Sequence, residues 1–165
     1  MKKYLAIDQG TTSSRSIIFN SNLEKQTDSQ IEYALTYPSD GWVELNPDDI
    51  LNSVVETLDN VVDGVDSIEA CGITNQRETT IIWSKISGKP IYPGIVWQDR
   101  RTSIYCNELK AKGLEEKVRQ KTGLLIDPYF SATKIKWILD NVDGAREQAE
   151  KGNLAFGTVD SYLIY

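Results

Sequence analysis

The sequence predicts a mixed α/β layer fold that opens with a β-hairpin. Three observations carry this. Two short apolar runs, residues 4–7 and 15–19, flank a polar turn rich in glycine and hydroxyl side chains. A long stretch after Asn46-Pro47 repeats apolar residues at helical spacing. Strand-like and helical stretches then follow in mixed order.

A third strand falls within 24–37, where Ile31, Tyr33 and Leu35 alternate weakly, and Pro38-Ser39-Asp40-Gly41 reads as a turn. Asn46 is placed to cap a helix, with Pro47 at its first position and Asp48 and Asp49 facing the positive end of the helix dipole. Its expected apolar face is Ile50, Leu51, Val54, Val55, Leu58, Val61 and Val62, ending near Asp63-Gly64. Strands are expected at 68–73, at 79–83 and around 91–97. Residues 99–121 are helical in character with a break at Gly113, and 123–128 form a loop. Ser131 is expected to cap a helix carrying Ile135, Ile138 and Leu139. A helix at 145–151, a short strand at 154–156 and a helix capped by Thr158 follow. Residues 161–165 lie within an apolar-periodic segment, so the fold is expected to be incomplete at its C-terminus.

The 165 residues suit one domain, taken as 1–165. Apolar residues make up 40% and charged residues 25%, an ordinary globular composition. The net charge of −6 argues against nucleic acid, whose phosphates reward a basic surface. No stretch approaches the roughly 20 apolar residues of a membrane span. Cys71 and Cys106 have no metal-ligand spacing and read as reduced thiols in a cytoplasmic protein. The absence of histidine excludes a Ser-His-Asp triad and most zinc sites within these residues.

Two constellations carry chemistry. In the first, a strand delivers Asp8 to the turn Gly10-Thr11-Thr12-Ser13-Ser14, and Arg15 follows. Successive N–H and O–H donors in a turn make a concave anion site. Asp8 could hold Mg²⁺ through water, and Arg15 could grip phosphate with two donors. On the residues alone, the same segment also reads as a solvated hairpin turn. In the second, Arg77 and Glu78 offer donors and acceptors suited to a polyhydroxy ligand. Trp97 offers an apolar wall, and Tyr129 offers an apolar face with a hydroxyl. Taken singly, each also reads as structural: a solvated ion pair, a core tryptophan, a loop anchor.

Asp8-Gln9-Gly10-Thr11-Thr12-Ser13 resembles the phosphate hairpin of the actin/hexokinase/Hsp70 ATPase superfamily. Together with Gly41-Trp42-Val43-Glu44, residues 75–80, residues 97–102 and residues 127–134, taken in order, it is similar to the glycerol kinases of the FGGY carbohydrate kinase family. That resemblance implies a ribonuclease H-like, actin-like ATPase domain. It implies ATP and Mg²⁺ as cofactors and transfer of the γ-phosphoryl group to glycerol, giving sn-glycerol 3-phosphate. Thr11, Thr12, Ser13 and Arg15 are then phosphate-binding, Asp8 serves Mg²⁺ through water, and Arg77, Glu78, Trp97 and Tyr129 bind the alcohol. The family's catalytic aspartate is expected C-terminal to Tyr165, as is a second, nucleotide-binding domain, so residues 1–165 alone are expected to lack turnover. The full-length protein is expected to be a cytoplasmic homo-oligomer. Two other readings stay open: a pentulose or hexulose kinase of the same family, and a non-catalytic ligand-binding module.

Overall fold

The computed structural model describes residues 2–165. The expected hairpin forms from β1 (Lys3–Gln9) and β2 (Ser13–Asn20), followed by β3 (Lys25–Glu32), β4 (Leu35–Thr36) and β5 (Glu44–Leu45). Then come α1 (Pro47–Val62), β6 (Ala70–Ile73), β7 (Ile81–Ser84) and β8 (Gly94–Ile95). The remainder is α2 (Ser103–Ala111), α3 (Glu115–Thr122), α4 (Ser131–Asn141), α5 (Ala145–Glu150), β9 (Leu154–Gly157) and α6 (Val159–Ile164). These elements fall into two compact units, the first made of the chain up to Leu35 with Asn46–Arg77 and Thr158–Tyr165, the second of Thr36–Leu45 and Glu78–Gly157. No described helix is long and apolar enough to cross a membrane.

The first unit holds a four-stranded sheet in the order β3-β2-β1-β6. β1, β2 and β3 pair antiparallel, and β6 joins β1 in parallel after the crossover through α1. This is the ribonuclease H-like mixed sheet that the resemblance implies. Asn46 caps α1 as expected, its side chain accepting from the Asp48 N–H at 3.1 Å. The inner face of α1 differs from the expected one. Leu51 and Val55 are exposed, and Ser53 and Thr57 are buried in their place. The partner strand explains this, because β2 turns Ser14 and Ser16 inward. Ser53 Oγ lies 2.8 Å from Ser14 Oγ, and Thr57 Oγ1 lies 2.9 Å from Ser16 Oγ. Hydroxyls on one element are matched by hydroxyls on the other, so burial leaves no partner missing between them.

In the second unit β7 pairs antiparallel with β9, from Ile81 opposite Gly157 to Ser84 opposite Leu154. Ile82, Ile95 and Ile138 meet in its core. The strand expected around 91–97 shrinks to the two residues of β8, because Pro90 and Pro93 interrupt the run and donate no ladder hydrogen bonds. The helical stretch 99–121 divides at Gly113, whose φ of 71° ends α2. Ser131 is the first residue of α4 rather than its cap, and its hydroxyl points to the Glu78 carbonyl at 3.4 Å. Thr158 does precede α6, but its hydroxyl bonds the Asp160 carboxylate instead of a helix N–H.

A buried cation organises this unit. The Arg101 side chain is wholly enclosed, with Nη2 2.8 Å from Glu44 Oε1 and 2.8 Å from Asp99 Oδ2. Its guanidinium lies 3.9 Å from the Trp42 ring centre and 4.6 Å from that of Trp137. Asp99 also accepts the Val43 N–H at 2.6 Å, and Glu44 accepts the Tyr92 hydroxyl at 2.7 Å. Removing one member of a buried ion network strands its partners without solvent. Arg101→Met is therefore expected to cost about 3–5 kcal/mol, measured by urea unfolding, with the loss in Trp fluorescence amplitude tracking the second unit.

Gly94 carries a different constraint. A Cβ there would stand 2.6 Å from Leu45 Cδ1 and 3.3 Å from Ile81 Cγ1, and both neighbours are fully buried. Gly94→Ala is expected to destabilise the protein by about 1–3 kcal/mol, and the cost of the same substitution should shrink when it is measured in a Leu45→Ala background in the same unfolding assay.

Candidate functional site

The expected residues are divided between the two units. Asp8, Thr11, Thr12, Ser13, Arg15 and Arg77 belong to the first, and Glu78, Trp97 and Tyr129 to the second.

The hairpin of the first unit is bolted from behind. Gly10 N–H donates to the Ser13 carbonyl at 2.9 Å, closing the turn. A Cβ at position 10 would come within 3.1 Å of that same carbonyl, so any side chain there would press on the turn. The Gly10 carbonyl accepts from Tyr33 Oη at 2.5 Å and from Gln76 Nε2 at 2.7 Å. Gln9 Nε2 reaches Tyr33 Oη at 2.7 Å, and Tyr33 N–H donates to the Thr12 carbonyl at 3.0 Å. Burial pushes the pKa of the Tyr33 hydroxyl up to about 12, against the opposing effect of the Gln9 and Gln76 amides, so it stays a proton donor. With this carbonyl held inward, the trans peptide turns the Thr11 N–H to the opposite side. The turn's backbone is thus preset, as an anion cradle requires.

Asp8 stands exposed at the end of β1, where its Oδ1 accepts the Thr74 hydroxyl at 2.7 Å. No group of three or more acidic, cysteine or histidine side chains comes together among the described residues. A lone carboxylate beside a hydroxyl fits a cation that keeps its water and leans on phosphate oxygens, as Mg²⁺ does. Arg15, opposite Asp8 in the hairpin register, bonds Gln30 Oε1 on β3 through Nε and Nη2. Arg77 is exposed in a turn and forms no ion pair with a described residue.

In the second unit the Trp97 and Tyr129 rings meet edge to face, with centres 5.9 Å apart at 69°. Both are partly exposed, so they form a wall rather than core. Tyr129 in turn meets Phe130 at 5.2 Å. The Tyr129 N–H is held by Asp127 Oδ1 at 2.9 Å, and the same oxygen accepts from Arg100 Nη1 at 3.0 Å. The Trp97 N–H donates to Thr79 Oγ1 at 3.2 Å. Behind the wall lies Lys134, fully buried, donating from Nζ to the Glu78 carbonyl at 2.9 Å and the Tyr129 carbonyl at 2.7 Å. Burial lowers its pKa to about 8, opposed by the carboxylates of Asp99, Glu78 and Asp127, so it remains an ammonium at neutral pH. The Glu78 and Tyr129 carbonyls thus share one ammonium, and the Tyr129 ring in turn meets that of Trp97.

Tyr33, Gln76 and Lys134 do not stand out as site residues in the sequence. Lys134 carries one signal, for it precedes Ile138 by a single helical turn and so shares its buried face. Gln9, Gln76 and Tyr33 carry none of comparable strength, because their meeting point is set by the packing of distant segments.

Comparison with known proteins adds to this geometry. Residues 3–165 match the N-terminal domain of the FGGY family of carbohydrate kinases. Over 165 residues the chain is 59% identical to a glycerol kinase from Marinomonas sp., covering 98% of this chain and 33% of that protein. The crystal structure of Plasmodium falciparum glycerol kinase with ADP superposes with a TM-score of 0.96 at 31% identity, covering 99% of this chain and 34% of that one. A ligand-bound xylulose kinase from Lactobacillus acidophilus shares the fold, with a TM-score of 0.88 at 21% identity, covering 99% of this chain and 33% of that one. The chain thus spans about a third of the length of the curated relatives it matches. With its mixed sheet, its bolted hairpin and this match over residues 3–165, the chain belongs to the FGGY family of carbohydrate kinases.

Proposed function

We propose that this chain supplies the phosphate hairpin and the alcohol-binding wall of a glycerol kinase. The observation that carries the reading is the edge-to-face wall of Trp97 and Tyr129, with the backbone of Tyr129 tied through Lys134 to that of Glu78, which adds a carboxylate to the set. A three-carbon polyol presents C–H bonds on one side and hydroxyls on the others, and this set answers both. The 59% identity to a curated glycerol kinase supports the same substrate over a pentulose or hexulose. The Plasmodium glycerol kinase crystallised with ADP, which supports ATP as phosphoryl donor here.

The roles follow from chemistry. Thr11, Thr12 and Ser13 offer hydroxyl and N–H donors to phosphate oxygens, and Arg15 offers a guanidinium that would exchange Gln30 for phosphate. Asp8 is the carboxylate that would hold Mg²⁺ through water, and the ion would supply charge neutralisation. Glu78 bonds the alcohol hydroxyls, Tyr129 adds a second contact, and Trp97 excludes water along the carbon chain; Arg77 is assigned to the alcohol by the family resemblance alone. Fixing the attacking hydroxyl in line is a large part of catalysis in phosphoryl transfer. The general base is assigned to an aspartate outside these residues. The full-length protein is placed in the cytoplasm as a homo-oligomer with no nucleic-acid partner.

Coupled-assay comparison of glycerol, xylulose and gluconate, using the full-length polypeptide that contains these residues, tests the reading. Glycerol should give the highest kcat/KM, and a preference for either sugar would overturn the assignment. In the same protein Glu78→Gln should raise the KM for glycerol about tenfold or more, since hydrogen bonds to a charged group are the costly ones to lose. The 165-residue polypeptide assayed alone should show no ATP-dependent glycerol phosphorylation, and detectable turnover would refute the assignment of the base.

A further inference from the structure

We propose that Lys134 is a positioning residue of the alcohol site, acting with Thr79 to fix the backbone that carries Glu78, Trp97 and Tyr129. This rests on the glycerol kinase reading above. Lys134 Nζ reaches the site at main-chain atoms, donating to the carbonyl of Glu78 at 2.9 Å and to that of Tyr129 at 2.7 Å. These carbonyls come from segments far apart in sequence, one leading into β7 and the other into α4. Two carbonyls that share one ammonium cannot drift apart independently. Thr79, also fully buried, extends the link, because its hydroxyl accepts the Trp97 N–H at 3.2 Å. Ser131 adds a second donor toward the Glu78 carbonyl at 3.4 Å.

A lysine in this position is costly, since an enclosed ammonium forfeits its hydration. A leucine or methionine would fill the same volume without that cost. What neither could do is supply several donors from one atom to two backbone segments. The carboxylates of Asp99, Glu78 and Asp127 lie near enough to favour the charge, which keeps those donors in place. Lys134 sits at the end of the first turn of α4, a rigid element, so the link is anchored on a helix. The arrangement suits a residue that sets the spacing between the carboxylate side of the site and its aromatic wall.

Lys134→Met, made in the full-length protein, removes the donors and keeps most of the stem. The KM for glycerol should rise about tenfold or more, because small misplacements of binding groups are expensive, while the KM for MgATP stays within about twofold. A fall in kcat with both KM values unchanged would show a merely structural role and overturn the proposal, as would no change at all. If the variant does not fold, the unsubstituted protein labelled with ¹⁵N-lysine decides. The Lys134 Nζ signal should move on saturation with glycerol and stay in place with MgADP alone; a signal that ignores glycerol overturns the proposal. Failure of the unsubstituted protein to phosphorylate glycerol would instead overturn the functional reading and this inference with it. An active parent with an unmoved KM overturns the inference alone.

Discussion

Charge without water is the constraint on which the second unit depends. Two cations, Arg101 and Lys134, are enclosed there, and each must recover from protein atoms what hydration no longer gives. Arg101 does so with two carboxylates and a pair of tryptophan faces, drawing Trp42, Glu44, Asp99 and Trp137 to one point. Lys134 does so with two main-chain carbonyls. The elements around them are short: β5 and β8 have two residues each, and α3 buries no residue at all. Such elements are marginal on their own. The demand of the two cations for fixed partners is what gives this unit a defined geometry where regular structure is sparse.

The first unit meets the same rule in neutral form. Its helix and sheet contact each other through Ser14, Ser16, Ser53 and Thr57, and Ile18 on β2 and Ile50 and Val54 on α1 are buried as well. Behind the β1–β2 turn, one carbonyl collects donors from Tyr33 and Gln76. Polar groups that must be satisfied in particular directions specify position more sharply than apolar contact does. A turn that is to receive an anion would gain from that, since its donors need to be aimed before the anion arrives.

What is legible in the sequence is local or periodic. The hairpin, the Asn46 cap and the break at Gly113 depend on neighbouring residues, and all three stand where the pattern puts them. The inward face of α1 departs from the pattern at Leu51 and Val55, because an apolar count cannot register that β2 offers serines as partners. The strand near Ile95 is shorter than its β-branched run suggests, since Pro90 and Pro93 outweigh that run. Among the proposed site residues, Glu78, Trp97 and Tyr129 are legible by motif; the Trp97 and Tyr129 rings touch, and the carbonyls of Glu78 and Tyr129 share the Lys134 ammonium. Their supports are not, since a lysine in a sequence reads as solvated until the fold encloses it. Arg101 shows the same difficulty: one of its carboxylates is two residues away, and the other, Glu44, lies in a segment the sequence separates widely.

The way Lys134 engages the site has a consequence for how the site can change. Its contacts end on the carbonyl oxygens of residues 78 and 129, atoms that every amino acid possesses. The side chains at those positions can therefore be exchanged while the foundation beneath them stays intact. Recognition and support are written on different atoms of the same residues. On the proposed reading, a fold arranged in this way is free to alter which alcohol it admits without first rebuilding the frame beneath the site.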